Sequence, residues 1–330
     1  MVKFIGGWMM ATKTIGVLTS GGDAPGMNAA VRAVVRSAVS RGIKVFGIHR
    51  GYNGLIHDDV FEMDLRTVSD IIHRGGTVLY TARSPEFKTE EGMQKAIATC
   101  KKHGIEGCIV IGGDGSYRGA RDLSLRGIPC VGIPGTIDND IACTDYTIGF
   151  DTAMNTALEM IDRIRDTSQS HERCTVCEVM GRNCGDIALH TGIAVGATCV
   201  LVPEVEWTFE EIVTKINQGQ ASGKKHFIIV VAEGVGGVES LAKRIEEATG
   251  IESRASILGH VQRGGNPTVR DRVCASAMGV AAVNLLEKGI GNRVIALKDN
   301  KIVDFDIYEA LQMNRVFEHN LYEIAQEIGI

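Results

Sequence analysis

The sequence predicts an α/β protein with two Rossmann-like three-layer α/β/α domains and mostly parallel sheets. Short apolar runs alternate almost throughout with segments of helical periodicity, and many of these runs end in glycine. Short strands between longer helices are typical of parallel sheets that helices cover on both faces. A chain of 330 residues is long enough for one large domain or two moderate ones, each with its own core.

The first half of the chain begins this alternation at residue 14. Apolar runs predict strands over TIGVLTS (14–20), KVFGI (44–48), GCIVIGG (107–113) and PCVGIPG (129–135). Helical spacing of apolar residues predicts helices over 27–42, 89–104 and 116–127. Gly42 and Gly104 close the first two of these helices. Acidic residues in the first turn and lysines in the last turn further favour the second helix.

The second half repeats the pattern. Predicted strands cover 174–181, 198–204 and 226–234, and predicted helices cover 151–168, 185–196, 208–220, 237–250 and 270–289. Thr208, with Glu211 three residues later, predicts a capping box at the start of one helix. No repeat of solenoid period and no linker of disordered composition interrupts the alternation.

The net charge and the cysteine content indicate which kinds of partner and which cellular compartment to expect. The net charge of −5 favours neither nucleic acid nor an anionic membrane as a partner, so an anionic ligand needs a local cluster of arginines. The nine scattered cysteines argue against a disulfide framework and for a cytoplasmic location. The apolar stretch in the opening MVKFIGGWMM is too short for a secretory signal. Met10 is an alternative start of translation. No segment is apolar enough to predict a membrane span.

Glycine clusters indicate where ligands bind. TSGGDAPG, HRGG, IGGDG, MGRNCG and QRGG are each expected at the end of a strand. Because ligands of open α/β sheets bind at the carboxyl ends of the strands, these clusters are expected to converge on one cleft, or on two clefts facing each other.

The stretch IVIGGDGS (109–116) predicts a phosphate-binding loop. Glycines at a strand-to-helix turn let phosphate oxygens approach backbone N–H groups and the positive end of the helix dipole. Asp114 would repel phosphates unless it holds a divalent cation, which makes it a candidate magnesium ligand; a capping aspartate in a glycine-rich turn is the alternative. TSGGDAPGMN (19–28) predicts a second such loop, and it matches neither the Walker A nor the dinucleotide-binding pattern.

The stretch GIPGTIDNDI (132–141) supplies candidate catalytic groups. Thr136, Asp138 and Asp140 follow a predicted strand at alternate positions. Carboxylates and a hydroxyl beside a nucleotide phosphate fit phosphoryl transfer to an alcohol, in which one aspartate takes the proton of the attacking hydroxyl. A surface Asx turn is the alternative for this stretch taken alone.

Cationic residues recur beside glycine turns and strand ends. Guanidinium groups are the preferred partners of phosphate, so the acceptor is expected to be a phosphorylated sugar, with Glu233 accepting hydrogen bonds from its hydroxyls. The cationic candidates are Arg83, Arg173, Arg182, Arg254, His260 and Arg263.

These motifs together resemble the ATP-dependent 6-phosphofructokinases of bacteria, from about Thr14 to the C-terminus. TSGGDAPGMNA, IGGDGS, PGTIDND, DYTIGFDTA, EVMGR and LGHVQRGG follow one another in the family's order. The resemblance implies Mg²⁺-assisted transfer of the ATP γ-phosphate to the 1-hydroxyl of fructose 6-phosphate, giving fructose 1,6-bisphosphate in glycolysis. It also implies a homotetramer with shared active sites, an ATP-binding domain (1–148 plus 261–311) and a sugar-phosphate-binding domain (149–260 plus 312–330).

The resemblance also implies roles for single residues. The ATP site comprises Gly22, Arg83, Ser84, Gly113, Asp114, Gly115 and Ser116, with Asp114 on magnesium. Asp138 is the general base, with Thr136, Asp140 and Arg182 as further catalytic residues. The sugar phosphate contacts Thr136, Ile137, Asp138, Met180, Gly181, Arg182, Glu233, His260, Val261, Gln262 and Arg263, joined by Arg173 and Arg254 of the neighbouring subunit.

Two departures bear on donor and regulation. Pyrophosphate-using relatives carry an aspartate after GGD and a lysine before TIDND, whereas Gly115 and Gly135 leave room here for a nucleotide and favour ATP. The family's pocket for ADP or phosphoenolpyruvate as effectors is incomplete, which predicts blunted or altered regulation. Its basic ligands here are Arg32, Arg36, Arg165, Lys224, Lys225 and His226, while Leu65, Thr198 and Ser222 replace three expected polar ligands, with Arg66 a substitute for the first.

Several alternatives stay open on sequence alone. A kinase for tagatose 6-phosphate or sedoheptulose 7-phosphate is the nearest, because arginines that bind phosphate discriminate poorly between sugars. The lipid and NAD kinase group also uses a GGDG motif but lacks PGTIDND. A non-catalytic sensor requires the loss of the aspartate that is present at 138, and an NAD-linked dehydrogenase lacks its fingerprint.

Overall fold

A computed structural model of the chain describes residues 12–329. Its strands are β1 (Thr14–Ser20), β2 (Lys44–Ile48), β3 (Val60–Met63), β4 (Gly107–Gly112), β5 (Cys130–Pro134), β6 (Cys174–Val179), β7 (Cys199–Leu201), β8 (Phe227–Ala232), β9 (Ser253–Ile257), β10 (Arg293–Lys298) and β11 (Lys301–Asp306). The expectation about the first ten residues lies outside the described residues.

The helices alternate with these strands. They are α1 (Met27–Val39), α2 (Tyr52–His57), α3 (Glu90–His103), α4 (Asp114–Ser124), α5 (Phe150–Ser170), α6 (Asp186–Ala194), α7 (Phe209–Ala221), α8 (Val238–Thr249), α9 (Val269–Glu287), α10 (Ile307–Gln312) and α11 (His319–Ile328). Two 3-10 turns cover Glu86–Lys88 and Gly259–Arg263. No helix within residues 12–329 is both long and apolar enough to cross a membrane.

The chain divides into two compact units. The first comprises the described residues up to Thr136 together with Ile141–Ile148 and Asn266–Asn314. The second comprises Ile137–Asp140, Gly149–Gly265 and the described residues from Arg315 onward.

The first unit is built on a seven-stranded sheet in the order β11-β10-β5-β4-β1-β2-β3. Its central strands run parallel, whereas β3 pairs antiparallel with β2 and β11 pairs antiparallel with β10. Every residue of β4 is buried, as a central parallel strand with both faces covered requires. The order of the strands reverses between β1 and β4, because the chain proceeds from β1 to β2 on one side and from β4 to β5 on the other.

The second unit is built on a four-stranded parallel sheet in the order β7-β8-β6-β9. Its core consists of apolar side chains of the strands and of α7 and α8, among them Phe227, Ile229, Ile212, Ile216 and Leu241. The carboxyl ends of β6, β8 and β9 therefore lie at one edge of this sheet, and their first residues lie at the other edge.

The α/β class with mostly parallel sheets is confirmed. The predicted capping box is present, since Thr208 accepts from the N–H of Glu211 and the Glu211 side chain accepts from the N–H of Thr208. Thr89 caps α3 and Gly104 ends it at a φ of 65°. All nine cysteines lie within the described residues, and each is a buried free thiol.

Three sequence expectations need correction. The strand predicted over 198–204 spans only Cys199–Leu201. The helix predicted over 27–42 ends at Val39, although Gly42 still has a positive φ of 74°. The clusters HRGG and QRGG do not directly end strands, because Gly75 lies in the long loop after β3 and Gly264 follows a 3-10 turn.

Candidate active site

Both predicted phosphate loops of the first unit follow neighbouring strands. β1 and β4 pair in register, with Ser20 beside Gly112, so the two glycine turns leave the sheet side by side. This is where the strand order reverses, which is the usual ligand position in doubly wound sheets.

The two loops are packed closely where they leave the sheet. The Ser116 hydroxyl donates to the Ser20 carbonyl at 3.0 Å. A Cβ on Gly112 would lie 2.4 Å from both the Ser116 Oγ and the Ser20 oxygen, so only glycine fits there. Ser116, which the resemblance also assigns to the ATP site, is buried and holds the two turns together.

The adjoining glycines are open. A Cβ on Gly113 or on Gly115 would meet no atom within 4 Å. Asp114 lies between them as the first residue of α4 and is exposed. The turn therefore presents backbone N–H groups, a helix N-terminus and one carboxylate toward open space.

The other predicted ATP ligands lie on two loops of the same unit. Gly22 is exposed in the turn after β1. The loop that carries Arg83 and Ser84 is tied to this turn, because the Thr81 hydroxyl donates to the Gly21 carbonyl at 2.8 Å. Arg83 is exposed, and the Ser84 hydroxyl accepts from the N–H of Phe87 at 3.3 Å.

The segment carrying the predicted catalytic residues crosses from one unit to the other. Thr136 ends the first segment of the first unit, and its carbonyl accepts from the Thr147 hydroxyl at 2.6 Å. Ile137 to Asp140 belong to the second unit. Ile137 is fully buried, Asp138 is 7% exposed and Asp140 is half-buried.

The environment of Asp138 favours its neutral form. Burial, followed by the nearby negative charge of Asp140, raises its pKa to about 6, and Arg263 and Arg182 oppose that rise. Burial also raises the pKa of Asp140 above its ordinary value. Asp138 thus combines a raised pKa with neighbouring guanidinium groups, a combination that is common at active sites.

Most predicted sugar-phosphate ligands lie at the carboxyl edge of the second sheet. Met180, Gly181 and Arg182 follow β6, Glu233 follows β8, and the 260–263 turn follows β9. The Gln262 side chain is buried and accepts from the N–H of Met180 at 3.2 Å, so it positions the loop after β6. The charges of Arg182, Glu233 and Arg263 all act on Asp138.

Exposure differs among the residues of this edge. Arg182 is exposed and has a positive φ of 58°, a backbone conformation that is uncommon for a non-glycine residue. Glu233, His260 and Val261 are exposed as well, and Arg263 is half-buried.

Two predicted ligands lie elsewhere in the same unit. Arg173 directly precedes β6, and Arg254 is the second residue of β9. They are therefore at the amino edge of the sheet, opposite the edge that carries Arg182 and Arg263. Glu252 pairs with both, since its Oε2 lies 2.8 Å from Arg173 Nε and its Oε1 lies 2.5 Å from Arg254 NH2.

A polar network next to Asp138 was missed by the sequence analysis. Asn139 has a φ of 51°, and its Nδ2 donates to the Asp186 carboxylate at 2.8 Å. Arg315 pairs with the same carboxylate and, at 3.0 Å, with Glu204. Glu204 in turn accepts from the N–H of Gly185 at 2.9 Å. No motif in the sequence links these residues.

The predicted effector ligands of the second unit form a basic cluster at its amino edge. Burial and then the charge of Arg165 lower the pKa values of both Lys224 and His226. Lys224 Nζ donates to the Thr198 hydroxyl at 3.1 Å. Thr198 is buried, and Lys225 is paired with Glu172 at 2.6 Å.

Four of the remaining effector positions, Arg32, Arg36, Leu65 and Arg66, belong to the first unit, whereas Ser222 lies two residues before Lys224 in the second unit. Arg32 and Arg36 lie one turn apart on α1 of the first unit. Leu65 is 43% exposed, and Arg66 and Ser222 are exposed.

The comparisons with known proteins all indicate the same family. The family model described as phosphofructokinase matches residues 14–286. A Clostridium botulinum protein named ATP-dependent 6-phosphofructokinase is 59% identical over 95% of this chain and 98% of its own length. A Bacillus licheniformis protein of the same name is 57% identical over 96% of this chain and 100% of its own length.

Solved structures show the same fold. A phosphofructokinase from Saccharomyces cerevisiae superposes with a TM-score of 0.85 at 34% identity over 96% of this chain, which spans 47% of that yeast chain. A pyrophosphate-dependent phosphofructokinase from Marinobacter aquaeolei superposes with a TM-score of 0.83 at 23% identity over 93% of this chain and 86% of its own, which bears on the fold alone. The family model covers residues 14–286, a range that contains every motif described above, and both bacterial relatives match at least 95% of this chain. The chain therefore belongs to the phosphofructokinase family.

Proposed function

We propose that this protein is an ATP-dependent 6-phosphofructokinase that transfers the γ-phosphate of ATP to the 1-hydroxyl of fructose 6-phosphate. The product is fructose 1,6-bisphosphate, and the reaction belongs to glycolysis. The observation that carries the proposal is the high identity, over nearly full length, to relatives named for this activity. The chemistry of the residues around Asp138 supports it independently.

Asp138 acts as the general base. Its pKa of about 6 lies close to neutrality, so the carboxylate is ionised at pH 7 and still basic enough to accept the proton of the attacking hydroxyl. Arg182 stabilises the charge on the phosphoryl group in transfer, while Thr136 and Asp140 position it. Because the side chain of Asp138 is buried, water competes little for its proton-accepting oxygen.

The first unit binds ATP through Gly22, Arg83, Ser84 and the turn from Gly113 to Ser116. The open space above Gly113 and Gly115 accommodates phosphates, and Asp114 stands there as an exposed carboxylate. Mg²⁺ is usually bound by one or two carboxylates together with substrate phosphates, so this arrangement fits Mg²⁺ with Asp114 as its protein ligand. When bound, Mg²⁺ neutralises phosphate charge during transfer. The first unit is thus the ATP-binding domain and the second the sugar-phosphate-binding domain.

The sugar phosphate is bound by residues of two subunits. Met180, Gly181, Glu233 and the turn from His260 to Arg263 contact it from one chain. Arg173 and Arg254 lie at the other edge of that chain's sheet, which is compatible with the role that the family resemblance implies for them in the site of a neighbouring subunit of a homotetramer. Activity then requires assembly.

Regulation and location complete the proposal. ADP or phosphoenolpyruvate is expected to bind weakly as an effector, since Thr198 and Ser222 offer no charge. Nine reduced, buried thiols are consistent with the cytoplasm.

A coupled steady-state assay tests the proposed reaction. Purified protein is given ATP or pyrophosphate as the donor, and fructose 6-phosphate, tagatose 6-phosphate or sedoheptulose 7-phosphate as the acceptor. We expect the highest specificity constant for ATP with fructose 6-phosphate. We expect Asp138→Asn to lower kcat by about 10²–10⁴-fold, whereas Asp166→Asn, at an exposed position of α5, leaves it unchanged. A higher specificity constant for another donor or acceptor, or undiminished turnover by Asp138→Asn, would falsify the proposal.

A further inference from the structure

We propose that Asp186 and Arg315 are positioning residues for the reaction, acting through Asn139 to fix the direction of the Asp138 carboxylate. This inference depends on the proposed function, because it assumes that Asp138 is the general base. All four residues belong to the second unit, so the chain of contacts lies within one compact body.

The turn at Asn139 is the first link. Its φ of 51° is in the left-handed region, which asparagine adopts more readily than most residues because its short side chain makes local polar contacts. Here the side chain is only 9% exposed and donates to Asp186. The hydrogen bond therefore holds a backbone conformation that is unfavourable by itself, in the residue that directly follows Asp138.

The second link is the buried carboxylate of Asp186. Its side chain is 4% exposed at the first position of α6, where a negative charge is favoured by the helix dipole. A buried carboxylate also needs a charged partner, and Arg315 supplies it through a direct ion pair. One Asp186 oxygen faces Arg315 and the other faces Asn139, so the arginine orients the acceptor that anchors the turn.

The third link fixes Arg315 itself. Its second guanidinium nitrogen donates to Glu204, which also accepts from the N–H of Gly185 directly before α6. The planar guanidinium group thus bridges two carboxylates in a set geometry, which a lysine reproduces only in part. Arg315 therefore ties the segment after β7 to the start of α6 and, through Asp186, to the 138–140 turn.

Arg315 has an electrostatic effect as well. Asp138 faces the charges of Asp140, Arg263, Glu233 and Arg182, and Asp140 faces those of Arg182 and Arg315. Arg315 lowers the pKa of Asp140, opposing the effect of burial. Removing this cation therefore raises the pKa of Asp140, so that Asp140 stays protonated up to a higher pH.

The test compares Asn139→Gly, Arg315→Gln and Arg315→Lys with the wild type. Glycine adopts the left-handed conformation freely, so Asn139→Gly removes the anchor and leaves the turn accessible. The matched control is Arg293→Gln, which breaks an Arg–Asp pair between β10 and β11 whose arginine is about as exposed as Arg315. For each protein, kcat, both KM values, the pH profile of kcat and Tm are measured.

We expect Asn139→Gly and Arg315→Gln to lower kcat about 10–100-fold, because small displacements of a reacting group cost that much in rate, while both KM values change less than about threefold. Arg315→Lys should recover part of the loss. The acid limb of the kcat profile, which reports Asp138, should keep its wild-type position in both variants, because neither Asn139 nor Arg315 is among the charges that act on Asp138. Arg293→Gln should lower Tm without lowering kcat.

The outcomes separate this inference from the proposed function. An inactive wild type with ATP and fructose 6-phosphate contradicts the proposed function itself. An active wild type with Asn139→Gly or Arg315→Gln losing Tm but keeping kcat shows a purely structural network and overturns the inference. If Arg315→Gln does not fold, Asn139→Gly and Arg315→Lys decide the question by the same criteria.

Discussion

The Nε of Arg173 lies 2.8 Å from the Oε2 of Glu252, and the other oxygen of that carboxylate pairs with Arg254. Two of the guanidinium groups proposed to bind the sugar 6-phosphate are therefore held as one cluster at the amino edge of the second sheet. A phosphate that reaches this cluster finds two cations already oriented.

We predict that Arg254→Ala raises the KM for fructose 6-phosphate about 10–100-fold, because a hydrogen bond to a charged group contributes about 1.5–3 kcal/mol. The KM for ATP should change little. Steady-state kinetics with each substrate varied in turn gives both values. Arg163→Ala, which removes an exposed arginine that pairs with Glu159 one turn earlier on α5, is the control and should leave both values unchanged. An unaltered KM for fructose 6-phosphate in Arg254→Ala would exclude its role in phosphate binding.

The pKa of Asp138 predicts how turnover depends on pH. Burial and then Asp140 raise this pKa to about 6, and a base must be ionised to accept a proton. We therefore expect kcat to be constant near pH 8 and to fall as the pH drops through about 6. Measuring kcat at saturating substrate keeps the ionisation of the free sugar phosphate out of the profile. A kcat that stays level down to pH 5 contradicts the assignment of Asp138 as the base.

The same raised pKa predicts a change in stability. A carboxyl group whose pKa is higher in the folded state destabilises the fold when it is ionised, and the penalty is complete above the folded-state pKa of about 6. A pKa raised by about two units lowers the free energy of unfolding by on the order of 3 kcal/mol when the carboxyl group is ionised. We expect Asp138→Asn to raise Tm by several degrees at pH 8, with a smaller gain at pH 5. Thermal unfolding at the two pH values measures this, and an equal or lower Tm at pH 8 would refute it.

The open surroundings of Gly115 predict the consequence of an added carboxylate for donor use. A Cβ at this position meets no atom within 4 Å, and an aspartate in the first turn of α4 is favourable to the helix. We expect Gly115→Asp to keep its Tm and to raise the KM for ATP at least about tenfold, since a second carboxylate repels the nucleotide phosphates. The KM for fructose 6-phosphate serves as the internal control. An unchanged KM for ATP would show that the phosphates do not lie above this turn.

The composition of the basic cluster at Lys224 predicts weak regulation. Lys224 already donates to Thr198, where a carboxylate is expected in the family's effector pocket, and Ser222 carries no charge. Each missing charge-assisted bond removes about 1.5–3 kcal/mol of binding. We expect millimolar ADP or phosphoenolpyruvate to change the KM for fructose 6-phosphate less than about threefold. Strong activation by ADP together with strong inhibition by phosphoenolpyruvate, measured at low fructose 6-phosphate, would disprove this.

The periodic parts of the fold were predictable from the sequence. Strands such as β4 are continuous apolar runs, and helices such as α3 and α7 carry caps whose residue types are specific. The short or amphipathic pieces were not predicted, namely β3, β9, β10, β11, α2, α10 and α11. Several of these strands are only partly buried, β11 among them, so their composition shows neither a continuous apolar run nor strict alternation.

The candidate site was predictable only where motifs are contiguous. PGTIDND identifies Asp138 because the whole turn lies in one stretch of sequence. The contact between Asp186 and Arg315 joins residues 129 positions apart, and neither lies in a motif that predicts the other. The raised pKa of Asp138 likewise arises from burial and from charges on three other segments, which no local pattern encodes.

The division of the chain into units has a consequence for biosynthesis. The polypeptide passes between the two units at Thr136, Asp140, Ile148, Gly265 and Asn314, so neither unit is a contiguous stretch. The seven-stranded sheet lacks one edge until Asp306 has left the ribosome, and the four-stranded unit still awaits its last helix at that point. The nascent polypeptide thus cannot finish one half before starting the other, and β5 emerges long before β10, the strand that covers its side, has been translated.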